Sequence, residues 1–154
     1  GITGPIIFKL IGERRSIEGA YLTVQKEIGE RMTANPGTRA YGSLSVVSQL
    51  VADVKVLMHI RAHVFIPPPK VDSIYLAMRF RGDADDVDDT LLSFIRQAFS
   101  HKRKFMRRAL LEVFTDAEVE TLYEEMDFPR SVRAETLEPR TFRRMYEVLK
   151  KTRE

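Results

Sequence analysis

Apolar and polar residues alternate over several short stretches in the first half of the chain, and apolar residues recur at helical spacing in the second. Residues 3–14 place Ile6, Ile7, Leu10 and Ile11 on one side, with Pro5 suited to a first turn, and predict a helix. Gly19 to Gln25 holds β-branched and aromatic residues between polar flanks and predicts a strand. Lys26 to Met32 predicts a short helix, and Asn35-Pro36-Gly37-Thr38 a turn or loop. Tyr41-Gly42-Ser43-Leu44 leads into a helix over 43–51, with Leu44, Val47 and Leu50 or Val51 facing inward. Ala52 to Arg61 predicts a strand in which Val54, Val56 and Met58 alternate with Lys55 and His59. A last strand comes next, with Ile74, Leu76, Met78 and Phe80 on one face and Ser73, Tyr75, Ala77 and Arg79 on the other. Its short link to the preceding strand makes the two antiparallel neighbours. This order fits the back half of an α/β sheet, entered at a helix with no strand before it.

Gly82-Asp83-Ala84-Asp85-Asp86 breaks the composition and is the expected domain boundary, dividing residues 1–82 from 83–154. Beyond it the pattern is helical. Val87, Leu91, Ile95, Ala98 and Phe99 line a first helix, with acids in its first turn. Residues 102–114 predict a second. Thr115-Asp116-Ala117-Glu118 is a capping box opening a third, in a region that Pro129 ends. Pro139 starts a fourth, striped by Phe142, Met145, Tyr146 and Leu149.

The 154 residues carry 44% hydrophobic residues, enough for a core, and no run approaches a membrane span. The absence of cysteine excludes disulfides, thiolate zinc sites and a cysteine nucleophile, and fits a reducing cytoplasm. Three scattered histidines suggest no metal site. Net charge is +3, but residues 1–82 hold 11 basic and 6 acidic residues, a balance of +5, while 83–154 hold 14 and 16, a balance of −2. Any polyanion contact therefore rests on local clusters.

The predicted helix 102–114 has the clearest such cluster. At about 100° per residue, Arg103, Lys104, Arg107 and Arg108 share one sector, and Phe105, Met106, Ala109, Leu110 and Val113 the opposite one. Like charges at i, i+4 repel, so the face needs anionic partners. Phosphates would serve; so would the acidic segment 83–89. Arg140, Arg143 and Arg144 repeat the theme more weakly.

Val64-Phe65-Ile66-Pro67-Pro68-Pro69-Lys70-Val71-Asp72-Ser73 is stiff, extended and unable to be helical, because each proline fixes φ and restricts its predecessor. From physics alone Phe65 is either the buried part of a rigid connector or an aromatic pre-positioned for stacking. Enzymatic signals are otherwise poor. No glycine-rich phosphate loop is present, and Glu27 and Glu30 read as solvated surface acids.

Three stretches together resemble the ribosomal RNA adenine dimethyltransferases. They are Val24-Gln25-Lys26-Glu27-Ile28-Gly29-Glu30-Arg31-Met32-Thr33-Ala34, Tyr41-Gly42-Ser43-Leu44-Ser45-Val46, and Phe65 to Ser73. Ala98-Phe99-Ser100-His101-Lys102-Arg103-Lys104 and Arg133-Ala134-Glu135-Thr136-Leu137 are similar to the small-subunit (16S) branch, and the match runs from about residue 2 to about 150. The resemblance implies the C-terminal part of a Rossmann-like methyltransferase sheet followed by a small all-α rRNA-recognition domain. It implies S-adenosylmethionine as cofactor, held mainly by residues upstream of residue 1, where the Asn-x-Pro-Tyr motif also belongs; Ile2-Thr3-Gly4-Pro5 is similar to the family's residues directly after that motif. The chain alone is then expected to be inactive and open to self-association. Phe65 takes the role of stacking on the flipped-out adenine, and Lys70, Arg103, Lys104, Arg107, Arg108, Arg140, Arg143 and Arg144 that of RNA binding. N6 methylation needs no metal, because the sulfonium carries the activated methyl. Expected partners are 16S rRNA in the small subunit or its precursor, in the cytoplasm, with no membrane involved. Two alternatives are a non-catalytic ribosome-assembly factor on the same scaffold and the 23S antibiotic-resistance branch.

Overall fold

A computed structural model describes residues 3–84 and 86–154. Gly1, Ile2 and Asp85 lie outside the described residues, as do the side chains of residues 3–5. The first-turn role of Pro5, the Ile2–Pro5 stretch and one acid of the 83–89 segment are therefore not placed.

The first half folds as α1 (Thr3–Gly12), β1 (Gly19–Gln25), α2 (Lys26–Thr33), α3 (Ser43–Val51), β2 (Ala52–Ile60) and β3 (Ser73–Phe80). The three strands form one sheet in the order β1-β3-β2, with both pairings antiparallel. Val24, Ile74, Leu76 and Met78 are buried on one face. Gly29 of α2 comes close enough that a Cβ there would meet Ile74 Cδ1 at 2.9 Å and Ile74 Cβ at 3.0 Å. On the other face Tyr21 stacks on Tyr75 with ring centroids 6.1 Å apart, and Tyr21 remains 71% exposed.

The alternation expected along β2 holds as far as Val56. The register then shifts, so that Val56 pairs with Leu76 but Met58 with Tyr75. Leu57 is the extra residue, and Met58 is left 58% exposed instead of joining Val54 and Val56. One inserted residue reverses the facing of the strand beyond it.

The second half contains α4 (Asp89–Ala98), α5 (Met106–Leu110), α6 (Asp116–Met126) and α7 (Pro139–Thr152). Asp88 caps α4, its carboxylate accepting from the Leu91 N–H, and its pKa is lowered chiefly by the Thr90 hydroxyl and that amide. Thr115 and Glu118 make the reciprocal capping box of α6. Phe142, Met145 and Leu149 of α7 are buried.

The continuous helix expected over 102–114 is not formed. Only Met106–Leu110 is helical; residues 101–104 are a turn in which Arg103 adopts φ 73°, and Phe105 is the N-cap. Met106, Ala109 and Leu110 are buried as expected, but Phe105 and Val113 are largely exposed. The turn before α5 is tied instead to the segment before the 3-10 turn Ala134–Thr136, the Met106 N–H donating to the Val132 carbonyl and Arg133 to the Arg103 carbonyl.

The halves share a continuous apolar core reaching from Ile7 and Val24 to Phe142 and Leu149. Tyr41 sits where they meet. Its ring packs edge-on to Phe99 at 6.1 Å, Phe99 stacks on Phe142 at 5.3 Å, and its hydroxyl donates to the Leu137 carbonyl at 2.6 Å. Burial raises the Tyr41 pKa, with Glu138 adding to it. The Gly37 amide also donates to the Glu135 carbonyl at 2.7 Å.

Gly29→Ala tests the α2–sheet contact. A helical Ala gains about 1 kcal/mol over Gly, whereas overpacking costs about 1–3 kcal/mol. Because Ile74 Cβ cannot swing away, the clash should win, and the urea midpoint should fall. An unchanged or higher midpoint would show that the contact is slack.

Candidate nucleic-acid interface

The loop between β2 and β3 is held at both ends by one residue. Residues Ala62–Val64 form a 3-10 turn, and the Phe65 N–H donates to the Ala62 carbonyl at 3.2 Å. Asp72 accepts from the Ala62 N–H through its side chain at 2.8 Å and from the Lys26 N–H through its carbonyl at 2.9 Å. The loop is thereby closed on itself and fastened to the start of α2. The Ile66–Pro67 bond is cis, and Ile66 is 98% exposed. Phe65 is half-buried, so it is neither the core residue of a plain connector nor a free side chain.

Lys70 is exposed and lines a cleft of about 500 Å³ with Gln25, Lys26, Glu27, Glu30, Val71 and Asp72. Arg31, in the last turn of α2, lines a second cleft of about 210 Å³ with Tyr41, Gly42, Ser43, Phe99 and Lys102. The α2 helix, about 12 Å long, therefore runs from the proline loop to the basic turn. Along it Lys26 faces Glu30 at 3.9 Å and Arg31 bonds Glu27 at 2.6 Å. The Ser45 hydroxyl bonds the Arg31 carbonyl and accepts from the Gly42 N–H, fixing the start of α3 to the end of α2.

Ion pairing divides the eight cations expected to bind RNA. Arg107 is only 19% exposed and bonds Glu120 at 2.8 Å, with Asp116 at 4.0 Å. Arg143 pairs with Asp86 at 3.1 Å, and Arg140 with Glu138 at 3.1 Å. Lys70, Arg103, Lys104, Arg108 and Arg144 are exposed and, among the described residues, make no ion pair. Local neutralisation thus applies to Arg107, through α6, and to Arg143, through the acidic segment. The Glu120 pKa is lowered chiefly by the Arg107 hydrogen bond. Beside the basic turn, His101 bonds Glu112, which lowers the Glu112 pKa.

Sequence reasoning leaves out three residues that the structure brings to this surface. Arg31 and Lys102 share a cleft although far apart in the chain, a proximity no local pattern reveals. Phe105, expected on the packing face, is exposed beside Lys104. The available clue for Phe105 is its place at the end of a run of three cations.

Among the described residues no group of His, Cys, Asp and Glu could hold a metal ion. Nor do the two clefts fit S-adenosylmethionine. Its adenosyl and sulfonium groups call for a glycine-rich backbone edge and a carboxylate for the ribose. The cleft containing Gly42 is flanked by Arg31 and Lys102, and the cleft containing carboxylates has no glycine.

The sequence model of the ribosomal RNA adenine dimethylase family matches residues 1–151. A ribosomal RNA small subunit methyltransferase A from Salinibacter ruber is 40% identical over 112 residues, covering 71% of this chain and 38% of that protein. One from Staphylococcus carnosus is 34% identical over 158 residues, covering 97% and 53%. The chain spans about half the length of the curated relatives it matches. Among solved structures, a dimethyladenosine transferase from Plasmodium falciparum superposes with a TM-score of 0.86 at 27% identity, covering 97% of this chain and 63% of that one. The 23S rRNA methyltransferase ErmE superposes at 0.65 and 22% identity, covering 97% and 62%, a likeness of fold.

Two outcomes test this geometry. Asp72→Ala removes one hydrogen bond worth about 1 kcal/mol, so amide exchange at Ala62 should quicken roughly fivefold while exchange in the β3 centre is unchanged; equal rates would show that the side chain does not clamp the loop. The second concerns pH. The Arg153 guanidinium holds the Glu118 carboxyl down at about 2, from an ordinary 4.5. A depressed folded-state pKa adds stability above the unfolded value and loses it as pH falls through the folded one. The melting temperature should therefore drop progressively from pH 4.5 toward 2. Glu118→Gln should flatten part of that fall, and an equally steep fall in the variant would sink the assignment.

Proposed function

The chain belongs to the ribosomal RNA adenine dimethylase family, and we propose that it supplies the target-base and RNA-binding half of an S-adenosylmethionine-dependent 16S rRNA adenine N6,N6-dimethyltransferase. On this reading residues 1–82 are the C-terminal part of the catalytic domain and residues 83–154 are the rRNA-recognition domain. The observation that carries it is the pairing of a clamped proline loop bearing Phe65 at one end of α2 with the exposed basic turn at the other, whose Lys102 shares a cleft with Arg31.

A base drawn out of its helix loses its stacking partners and needs a replacement surface. Phe65 offers a ring on a segment whose ends are fixed, so little entropy is lost when a base settles on it. Lys70, exposed in the same loop, offers a cation to the backbone of that nucleotide. Lys102, Arg103, Lys104 and Arg108 grip phosphates further along. Arg107 contributes less to that grip, because Glu120 already neutralises it. When bound, the cofactor supplies the methyl group; these residues orient the adenine so that its N6 lone pair can meet it. On this reading the cofactor's contacts lie outside the two clefts.

The small-subunit assignment follows the relatives, which are small-subunit methyltransferases. The superposition on the dimethyladenosine transferase, at a TM-score of 0.86, supports adenine dimethylation as the activity. Such an enzyme works in the cytoplasm on 16S rRNA of the small subunit or its precursor. Among the described residues no helix is long and apolar enough to cross a membrane.

Two experiments test the reading. Joined to the cofactor-binding half of the Salinibacter ruber relative, the chain should transfer methyl groups to unmethylated small-subunit rRNA. Phe65→Ala should slow transfer about 5- to 150-fold, the loss of one base stack, without unfolding the protein; unchanged turnover would remove Phe65 from the site. In the chain itself, Arg103→Glu with Lys104→Glu should lower RNA affinity and reduce the slope of log affinity against log salt by about 1.4–1.8. Arg107→Glu should change the slope less, and a larger effect at Arg107 than at Arg103 and Lys104 would invert the proposed division of the cations.

A further inference from the structure

Phe105 is expected from its spacing to pack inward, and the structure instead leaves it 48% exposed among cations. A lone exposed aromatic is ordinary. Two features set this one apart. Its surroundings are basic: Lys102, Arg103 and Lys104 precede it, the Arg133 guanidinium lies over its ring at 5.4 Å, and all four cations are exposed. Among the described residues none of the four makes an ion pair.

The second feature is its rigid mounting. The Lys104 N–H donates to the His101 carbonyl at 3.1 Å, and the Met106 N–H to the Val132 carbonyl at 3.0 Å. The Phe105 carbonyl accepts from the Arg108 N–H at 3.1 Å. Arg133 Nη1 donates to the Arg103 carbonyl at 3.0 Å, so the guanidinium over the ring is tied to the turn that precedes it. Met106 itself is buried. The backbone that carries the phenyl is thus fixed on both sides of Phe105, and the ring has a cation over it and about half of its surface open.

We propose that Phe105 is a stacking platform for an unpaired nucleobase of the bound RNA, with Lys102, Arg103, Lys104 and Arg133 holding the flanking phosphates. The proposal rests on the RNA-binding reading above and is distinct from the role of Phe65, which concerns the base that reacts. A single-stranded or looped RNA is the ligand the chemistry favours. In a duplex the base faces are already stacked, whereas an unpaired base offers a face to the ring and phosphates to the cations. Stacking transfers no charge and releases no counterions, so its contribution is separable from that of the lysines and arginines by salt dependence.

The test uses the 154-residue chain and a single-stranded oligoadenylate, with a second probe in which one base is replaced by an abasic ribose. Phe105→Ala should weaken binding of the intact probe about 5- to 150-fold with the salt slope unchanged. The abasic probe should bind the wild type more weakly and should show a smaller penalty from Phe105→Ala. Phe105→Trp should restore affinity to within about twofold, the indole being the larger stacking surface. The chain has no tryptophan, so that indole is the sole reporter, and its fluorescence should be quenched by RNA. The proposal is overturned if Phe105→Ala binds as tightly as wild type, if its loss is accompanied by a shallower salt slope, or if RNA binds without quenching the indole. Failure of the wild-type chain to bind RNA in a salt-dependent way would instead bring down the RNA-binding reading itself, and this proposal with it.

Discussion

Tyr41 is the joint on which the arrangement depends. It leaves the loop before α3, sits edge-on to Phe99 at the end of α4, and spends its hydroxyl on the Leu137 carbonyl ahead of α7. A buried hydrogen bond contributes about 1 kcal/mol and each aromatic pair about 0.5–1.5 kcal/mol beyond its burial. These are modest energies, but they act where the sheet-bearing half meets the helical half. The same residue lines the cleft that Arg31 and Lys102 enter. One contact that joins the two halves is therefore also a wall of the candidate binding surface.

Around that joint the chain uses short fastenings in place of long elements. Asp72 holds the proline loop to itself and to α2, Ser45 fastens α3 to the end of α2, and the Gln97 side chain donates to the Ala109 carbonyl, tying α4 to α5. Each is one or two hydrogen bonds, between a polar side chain and backbone except where the Asp72 carbonyl accepts from the Lys26 N–H. A loop so restrained can present Phe65 without a helix or strand beneath it, and Phe105 stands at the start of the short α5.

Much of the fold was legible in the sequence because alternation and capping are local. The β1 and β3 spans, the capping box at Thr115 and Glu118, and the start of α7 at Pro139 are each set by a few neighbouring residues. What failed was also local in its cause. The amphipathic pattern of 102–114 runs on through a turn, and nothing in the identity of Arg103 announces a positive φ, which glycine or asparagine would have signalled. The bulge at Leu57 reverses the facing beyond it, and its mark in the sequence is an apolar residue at a position where the alternation calls for a polar one. For the site, motif resemblance marked Phe65 and the cations but could not say which were neutralised. Glu120 lies 13 residues from Arg107, and Asp86 far from Arg143, so only tertiary structure sorts bound charges from free ones.

On the proposed RNA-binding reading, the position of α2 between the two clefts makes the protein a gauge. Its length is set by the number of residues it contains, and its ends are fixed to the proline loop at Asp72 and to α3 at Ser45. A substrate touching both ends is measured against that fixed interval. One residue added to α2 would lengthen it by about 1.5 Å and swing Arg31 by about 100°, changing both separation and bearing. Selection of a target would then depend on the spacing of features along the RNA as much as on the letters between them.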